Sequence, residues 1–372
     1  MNWSKEDIKQ WLATVEDPDS NKTLQELDAI QSIDIQENTI SFKLRLPSHS
    51  PFFKSIKKAC EKIIKSHTTE QISIHIEKMG EAAQTPPQDQ DTEQTPLSKV
   101  KNILAVSSGK GGVGKSTVAV NLALSLAELG WKVGILDTDI YGPSVPKMLG
   151  IEEERPSVKK ENGKDILIPV DVQGIKVLSI GFFVSKEDAL IWRGAMATGA
   201  IKQFINDTDW GDLDYFIIDM PPGTGDIHLT IVQTIPLTAA VIVSTPDKVS
   251  IADTARGVNM FKAEKIDVPI LGFVENMSWF TPAELPDHKY YIFGKEGVKK
   301  LAEESGVPLL AQIPLIQSIR EGGDAGKPAV QNVKDSQVSQ YFLDLAKNVA
   351  QKTEERNASL QPTRKVIIDR NS

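Results

Sequence analysis

The chain is expected to be α/β: a doubly wound parallel sheet preceded by a small α+β domain. Three observations predict this. Short apolar runs alternate with helical patterns from Ser98 to about Lys352, the rhythm of strand–helix–strand units. A glycine-rich turn, Gly109 to Thr117, joins the first of those runs to the first helix. The stretch Glu81 to Leu97, EAAQTPPQDQDTEQTPL, offers almost nothing apolar to bury and reads as a flexible, partly extended linker.

The division that follows is 1–79 for the small domain, 80–97 for the linker, 98–352 for the main domain and 353–372 for a polar tail. In the small domain, helical periodicity covers Lys5 to Val15 and Phe52 to Ser66. Alternating strand patterns cover Ile33 to Ile35, Thr39 to Leu46 and Gln71 to Glu77. In the main domain, strands are expected at Ile103–Val106, Val133–Asp137, Ile175–Ser179, Tyr215–Asp219, Ala239–Ser244, Ile270–Glu275 and Leu309–Ile313. These are near-continuous apolar runs, as in parallel strands with helices on both faces. The tail from Glu354 is polar and expected to be loose, apart from Val366-Ile367-Ile368.

Composition narrows the function. At 372 residues, with 40% apolar and 25% charged residues, the chain has ordinary globular usage and room for more than one domain. A net charge of −8 without a dense Lys/Arg stripe argues against nucleic acid as a partner. No run approaches about 18 apolar residues, so no membrane partner is expected. Met1 to Asp7 is polar and mixed in charge, unlike a signal segment. The single cysteine, Cys60, leaves no intrachain disulfide and suits a reducing, cytoplasmic setting.

The chemistry concentrates in Gly109-Lys110-Gly111-Gly112-Val113-Gly114-Lys115-Ser116-Thr117. An apolar run, Ile103 to Val106, precedes it, and an apolar-periodic helix, Val118 to Leu129, follows. The spacing Gly109-x-x-x-x-Gly114-Lys115-Ser116 is the phosphate-loop pattern of nucleotide-binding proteins. Its backbone N–H groups curl around phosphates, Lys115 reaches the β/γ oxygens, and the Ser116 hydroxyl ligates Mg²⁺. The helix N-terminus adds partial positive charge at the anion. ATP and Mg²⁺ are the expected ligands.

Two strand ends supply carboxylates. Val133 to Leu136 leads into Asp137-Thr138-Asp139, and Tyr215 to Ile218 leads into Asp219, a Walker B arrangement. Acids at the carboxyl ends of parallel strands sit where ligands bind. Asp219 is expected near Mg²⁺, Asp137 in its supporting shell, and Asp139 at the attacking water. Met220-Pro221-Pro222-Gly223-Thr224-Gly225-Asp226 follows as a stiff, glycine-hinged loop able to sense the γ-phosphate. Asn276 is a candidate for recognising the base, near Pro314, because an amide offers both donor and acceptor; ending a strand is its other reading.

Lys110, placed directly after the first glycine, makes the loop resemble the deviant Walker A of the MinD/ParA/nitrogenase-iron-protein class. That resemblance implies a homodimer in which Lys110 crosses to the partner's phosphates and stabilises transition-state charge. Longer stretches are similar to the Mrp/ApbC family of ATP-dependent iron–sulfur cluster carriers. They are Trp192 to Met196, Trp210 to Asp226, Glu275 to Ser278, Tyr291 to Gly294, and Gln312 to Leu315 with Ser318 to Arg320. The first domain resembles the iron–sulfur assembly domain often fused in front. Together these imply a slow, dimer-dependent ATPase that carries an iron–sulfur cluster to apo iron–sulfur proteins or assembly factors.

One departure matters. The family's usual Cys-x-x-Cys falls in an interval that here reads Trp279 to Tyr290 and holds no cysteine; Leu46 to Phe52 also lacks the first domain's usual one. Clusters are held mainly by thiolates. Cys60 lies in an amphipathic helical pattern, where cysteine packs as a small hydrophobe. Each of the five histidines, His49 and His288 included, is isolated in sequence. Two readings stay open: a carrier with atypical or partner-supplied cluster ligands, or a nucleotide-gated interaction ATPase that has lost direct cluster binding. In either, Trp279, Phe280, Tyr290 and Tyr291 can form an apolar contact in place of a metal bridge. A ParA/MinD-like positioning role fits less well, since the tail shows no membrane-targeting amphipathic helix.

Overall fold

A computed structural model describes residues 4–17, 22–27, 29–36, 39–45, 53–68, 73–79, 97–161, 163–183, 194–264, 266–331 and 336–361. The chain divides into two compact units, Met1–Thr92 and Glu93–Ser372. Most of the linker stretch, the loop holding His49, Trp192-Arg193 and Val366 to Ile368 lie outside the described residues. Leu97, assigned to the linker from sequence, is buried and joins the core of the second unit.

In the first unit, Ser4 opens helix α1 (Lys5–Leu12) with a reciprocal cap. Its hydroxyl accepts from the Asp7 N–H, and the Asp7 carboxylate accepts from the Ser4 N–H at 2.7 Å. The helix stops short of Val15, whose carbonyl instead receives the Leu24 N–H across the strand pair β1 (Glu16–Asp17) and β2 (Lys22–Thr23). Strands β3 (Ile30–Gln36), β4 (Thr39–Arg45) and β5 (Ser73–Met79) form a sheet, β3 antiparallel and β5 parallel to β4. Helix α2 (Phe53–His67) crosses between β4 and β5 in sequence and buries Ile56, Cys60 and Ile64, a stripe at four-residue spacing. Ile8, Leu12, Phe42 and Leu44 complete that core.

The second unit runs β6 (Val100–Ser107), α3 (Lys115–Glu128), β7 (Val133–Asp137), α4 (Val145–Leu149), β8 (Ser157–Glu161), β9 (Lys164–Ile168), β10 (Val170–Val172), β11 (Ile175–Ser179) and α5 (Gly194–Asn206). It continues with β12 (Leu213–Asp219), α6 (Asp226–Thr234), β13 (Ala239–Ser244), α7 (Lys248–Lys262), β14 (Ile270–Asn276), α8 (Gly297–Ser305), β15 (Leu309–Ile313), α9 (Gln317–Asp324) and α10 (Ser336–Ser359). Eight strands make one sheet in the order β10-β11-β7-β12-β6-β13-β14-β15. Every residue of β7 and β13 is buried, as expected of strands covered on both faces. Chain connections leave β6 toward β7 and β11 on one side and, after β12, toward β13, β14 and β15 on the other. That reversal makes the carboxyl end of β6 a topological switch point, where open α/β sheets bind ligands.

Seven of the sheet strands are those the apolar runs predict. The eighth, β10, which no apolar run predicts, lies antiparallel on β11 at the edge of the otherwise parallel sheet. Its cause is local: Gln173 and Gly174 both take positive φ, 55° and 80°, and close a two-residue hairpin between Val172 and Ile175. The β8–β9 hairpin is a further two-stranded sheet that no apolar run announces, because its residues are mostly exposed. The loose tail is corrected as well. Helix α10 carries the chain through Glu354 to Ser359, with Thr353 buried and Asn357 donating to Asn102 Oδ1 at 2.8 Å.

Candidate functional site

Strand register sets the chemistry before any side chain is considered. In the sheet, Asp219 pairs with Val106 on one side and Asp137 on the other, and Asp137 pairs in turn with Ser179. Two carboxylates are therefore level with each other at the point where β6 gives way to the glycine loop.

The loop itself is held by close approach. A side chain at Gly109 would overlap the backbone of Asp253 and Thr254 in α7. Gly114, the residue before α3, has φ +83°, and a Cβ there would strike the Asn276 amide nitrogen. Helix α3 thus begins without a side-chain cap, which leaves its first backbone N–H groups directed at the loop. Lys110, Gly111, Gly112, Gly114, Lys115, Ser116, Thr117 and Asp139 line a cavity of about 210 Å³. Gly109 and Val113 stand behind it: Val113 is buried, and its carbonyl accepts from Asn276 Nδ2 at 2.8 Å.

Lys115 is only 6% exposed, and its ammonium lies 2.5 Å from Asp219 Oδ1 and 3.0 Å from the Ser116 hydroxyl. Asp219 is fully buried; its Oδ2 has no hydrogen-bond partner. Burial pushes the Asp219 carboxyl up, and the Lys115 charge opposes that. Burial also raises Asp137 to about 7, with the Asp219 charge adding to the rise. An orphaned carboxylate oxygen beside a serine hydroxyl is a hard-oxygen donor set, and it fits Mg²⁺. Among the described residues, no group of three His, Cys, Asp or Glu side chains forms a metal cage. Mg²⁺ does not require one, since water and phosphate complete its shell.

Asp137 is placed differently from Asp219. One oxygen accepts from the Asp139 N–H at 3.1 Å; the other accepts from the Ser179 hydroxyl at 2.9 Å and the Val145 N–H at 3.3 Å. These bonds fix the loop from Asp139 to Val145 and so orient Asp139, which is half-buried at the cavity wall. Ser179 was not singled out from sequence; its only signal is its position at the end of an apolar run paired with Asp137. Lys110 acts electrostatically on Asp247, the N-cap of α7. Burial alone would raise Asp247, but the Thr245 and Ser250 hydrogen bonds and Lys110 hold it down at about 2.

A second cavity, about 350 Å³, adjoins the first through Gly114, Thr117, Ser144 and Met148. Asn276, Met277, Pro314, Leu315 and Ile316 form its predominantly apolar wall. Asn276 does more than end β14, because its amide clamps the loop through Val113. Glu275, beside it, is buried and accepts from the Val298 and Lys299 N–H groups at 2.8 and 3.3 Å and from Gln312 at 2.7 Å. It caps α8 and closes the segment from Met277 to Glu296.

Within that segment no thiol occurs. Phe280 and Tyr290 exchange two backbone hydrogen bonds of 2.8 Å, and Lys289 lies 4.0 Å over the Trp279 ring. Tyr290, Tyr291, Ile292 and Phe293 are exposed in sequence. His288 is exposed too. Cys60 is fully buried in the first unit, where burial pushes its thiol up to about 12. An enclosed thiol whose pKa is raised is a poor metal ligand.

Comparison with known proteins gives a consistent picture. Residues 99–350 match the family described as NUBPL iron-transfer P-loop NTPase, and residues 5–75 match one described as iron-sulfur cluster assembly protein. An iron-sulfur cluster carrier protein of Synechocystis sp. is 44% identical over 343 residues, 92% of this chain and 95% of that protein. One from Haemophilus influenzae is 42% identical over 92% of this chain and 90% of its own length. The iron-sulfur cluster transfer protein NUBPL of Dictyostelium discoideum is 46% identical over 69% of this chain and 78% of its own. Among solved structures, a nucleotide-binding protein from Archaeoglobus fulgidus in complex with ADP aligns with a TM-score of 0.56 at 37% identity. It covers 66% of this chain and 94% of its own. The cell division ATPase MinD of Pyrococcus furiosus aligns at 0.50 with 28% identity, covering 67% and 98%.

Proposed function

The chain belongs to the NUBPL-type iron-transfer P-loop NTPase family, and from that premise we propose that it is an ATP-hydrolysing carrier of iron–sulfur clusters, delivering them to apoproteins. The observation that carries the nucleotide half is the Lys115–Asp219 pair with its orphaned oxygen at the end of the glycine loop. The carrier half is supported by similarity that spans both units of the chain.

Lys115 leaves Asp219 for the β/γ oxygens when a triphosphate enters, which frees the Asp219 carboxylate to hold Mg²⁺ in its place. Backbone N–H groups from Lys110 to Thr117 grip the phosphates, and the apolar cavity beside Asn276 takes the adenine. Ser116 and Asp219, with Asp137 behind them, would hold Mg²⁺, whose positive charge would offset that of the phosphates. Asp139 aligns the attacking water. Lys110 acts across a homodimer seam, where its ammonium meets charge developing on the partner's γ-phosphoryl group.

The cluster is cargo, and this chain supplies no accessible thiolate for it. We assign its ligands to partner or recipient proteins, with the aromatic segment from Trp279 to Phe293 closing the dimer seam. The buried Cys60 favours a second reading, a nucleotide-gated interaction ATPase without direct cluster binding. Anaerobic reconstitution with iron and sulfide, alone and with a cysteine-bearing apo acceptor, separates the two. A chromophore formed only with the acceptor and accelerated by Mg·ATP supports the carrier. Absence of nucleotide-dependent iron transfer supports the second reading.

A further inference from the structure

His228 stands in the first turn of α6, just past the loop from Met220 to Gly225, and is 1% exposed. Neither of its ring nitrogens makes a hydrogen bond of good geometry, although the Pro221 carbonyl acts on the ring as an acceptor. Such a residue is uncommon, because a buried polar atom left unmet bears its desolvation cost with nothing to offset it. Burial first, and then the Lys115 charge, pull its pKa down to about 4, with the Pro221 carbonyl acting in the opposite sense. The ring is therefore neutral near pH 7, with one N–H to donate and one bare nitrogen.

The loop between His228 and the phosphates is tied to both. Met220 N–H donates to the Val106 carbonyl at 3.0 Å, and Gly223 N–H donates to the Ser108 carbonyl at 3.1 Å. Pro222 lines the phosphate cavity and faces Gly111. At its far end the His228 N–H donates to the Gly225 carbonyl at 3.0 Å. A shift of this loop on triphosphate binding thus reaches the ring through Pro221 and the helix turn that carries it.

We propose that His228 is a positioning residue for hydrolysis: with a triphosphate bound, the imidazole N–H completes its hydrogen bond to the Pro221 carbonyl and fixes the Met220–Gly225 loop in its working conformation. The proposal rests on the reading of this site as an ATPase. In the ligand-free arrangement the contact between the ring and the Pro221 carbonyl is incompletely formed, and nucleotide favours the loop conformation that completes it.

The test uses the full chain with His228→Leu, which removes the donor, and His228→Gln, which keeps an amide N–H. In His228→Leu, kcat falls about fivefold to tenfold, the effect of one neutral hydrogen bond. Mg·ATP affinity stays within about twofold of the parent, and His228→Gln recovers most of the rate. A parental kcat in His228→Leu overturns the proposal, as does an equal loss in both variants. A second measurement avoids the variants' folding. With ¹⁵N-labelled histidine in the parent, the His228 ring resonances shift on adding Mg²⁺ and a non-hydrolysable ATP analogue; unmoved resonances overturn the proposal. A parent that binds nucleotide without hydrolysing it overturns the ATPase reading itself, and is recognised by its own zero rate.

Discussion

Lys115 and Lys110 sit five positions apart in one loop yet face different chemical demands. Lys115 neutralises buried Asp219 and, in the mechanism proposed, also reaches the triphosphate, so Lys115→Ala is expected to remove both functions at once. Binding of Mg·ATP is lost in that variant by equilibrium dialysis. Lys110→Ala keeps binding within a few-fold but lowers hydrolysis by about 10³-fold, the scale of a missing cationic finger. A parental rate in Lys110→Ala excludes the cross-dimer role. Asp247 gives a pH test. Its carboxyl falls from the ordinary 3.8 to about 2 on folding, so it contributes stability above pH 4 that is lost as pH drops toward 2. In Asp247→Asn, acid denaturation curves lose slope across that window. At this scale the sequence was legible wherever the chemistry is local, as in the glycine spacing and the acids that end apolar runs. It was silent on Ser179 holding Asp137 and on Asn276 clamping Val113. The latter partners lie 163 residues apart, and no spacing rule joins them.

Elements show the same boundary between local and distant causes. Seven strand patterns stood out because both faces of those strands are buried, and an unbroken apolar run is what that demands. Strand β10 escaped because it is three residues long with Asp171 at its centre. The end of α10 escaped because its exposed residues after Glu354 mask one buried contact, Thr353, and the Asn357–Asn102 bond. Glu275 is the element-scale keystone of the segment beside the nucleotide cavity, accepting from two N-terminal N–H groups of α8 and from Gln312. Glu275→Ala leaves those donors buried and unmet, at a cost of about 1–3 kcal/mol each when fully enclosed. Chemical denaturation should show a drop of at least about 2 kcal/mol, together with weaker nucleotide binding. Unchanged stability would place the anchoring of α8 elsewhere.

At the scale of the whole molecule, the family relationship extends across both units, while the cysteine inventory departs from what iron–sulfur cargo ordinarily requires. The only thiol is enclosed in the core of the first unit, and folding raises its pKa from 9.0 to about 12. Because the folded value is the higher one, that thiol's contribution to stability is fully present below pH 9 and is lost progressively as pH rises from 9 to about 12. Native protein at pH 8 should resist iodoacetamide at Cys60 until denaturant is added; rapid native labelling would reopen a ligand role. Both readings of cargo depend on nucleotide being clasped at the end of β6. Isothermal titration of Mg·ATP into the full chain tests that most directly. The account predicts a saturable heat with one site per chain, abolished by chelating Mg²⁺ or by Lys115→Ala. A parent chain that releases no heat of binding would contradict it.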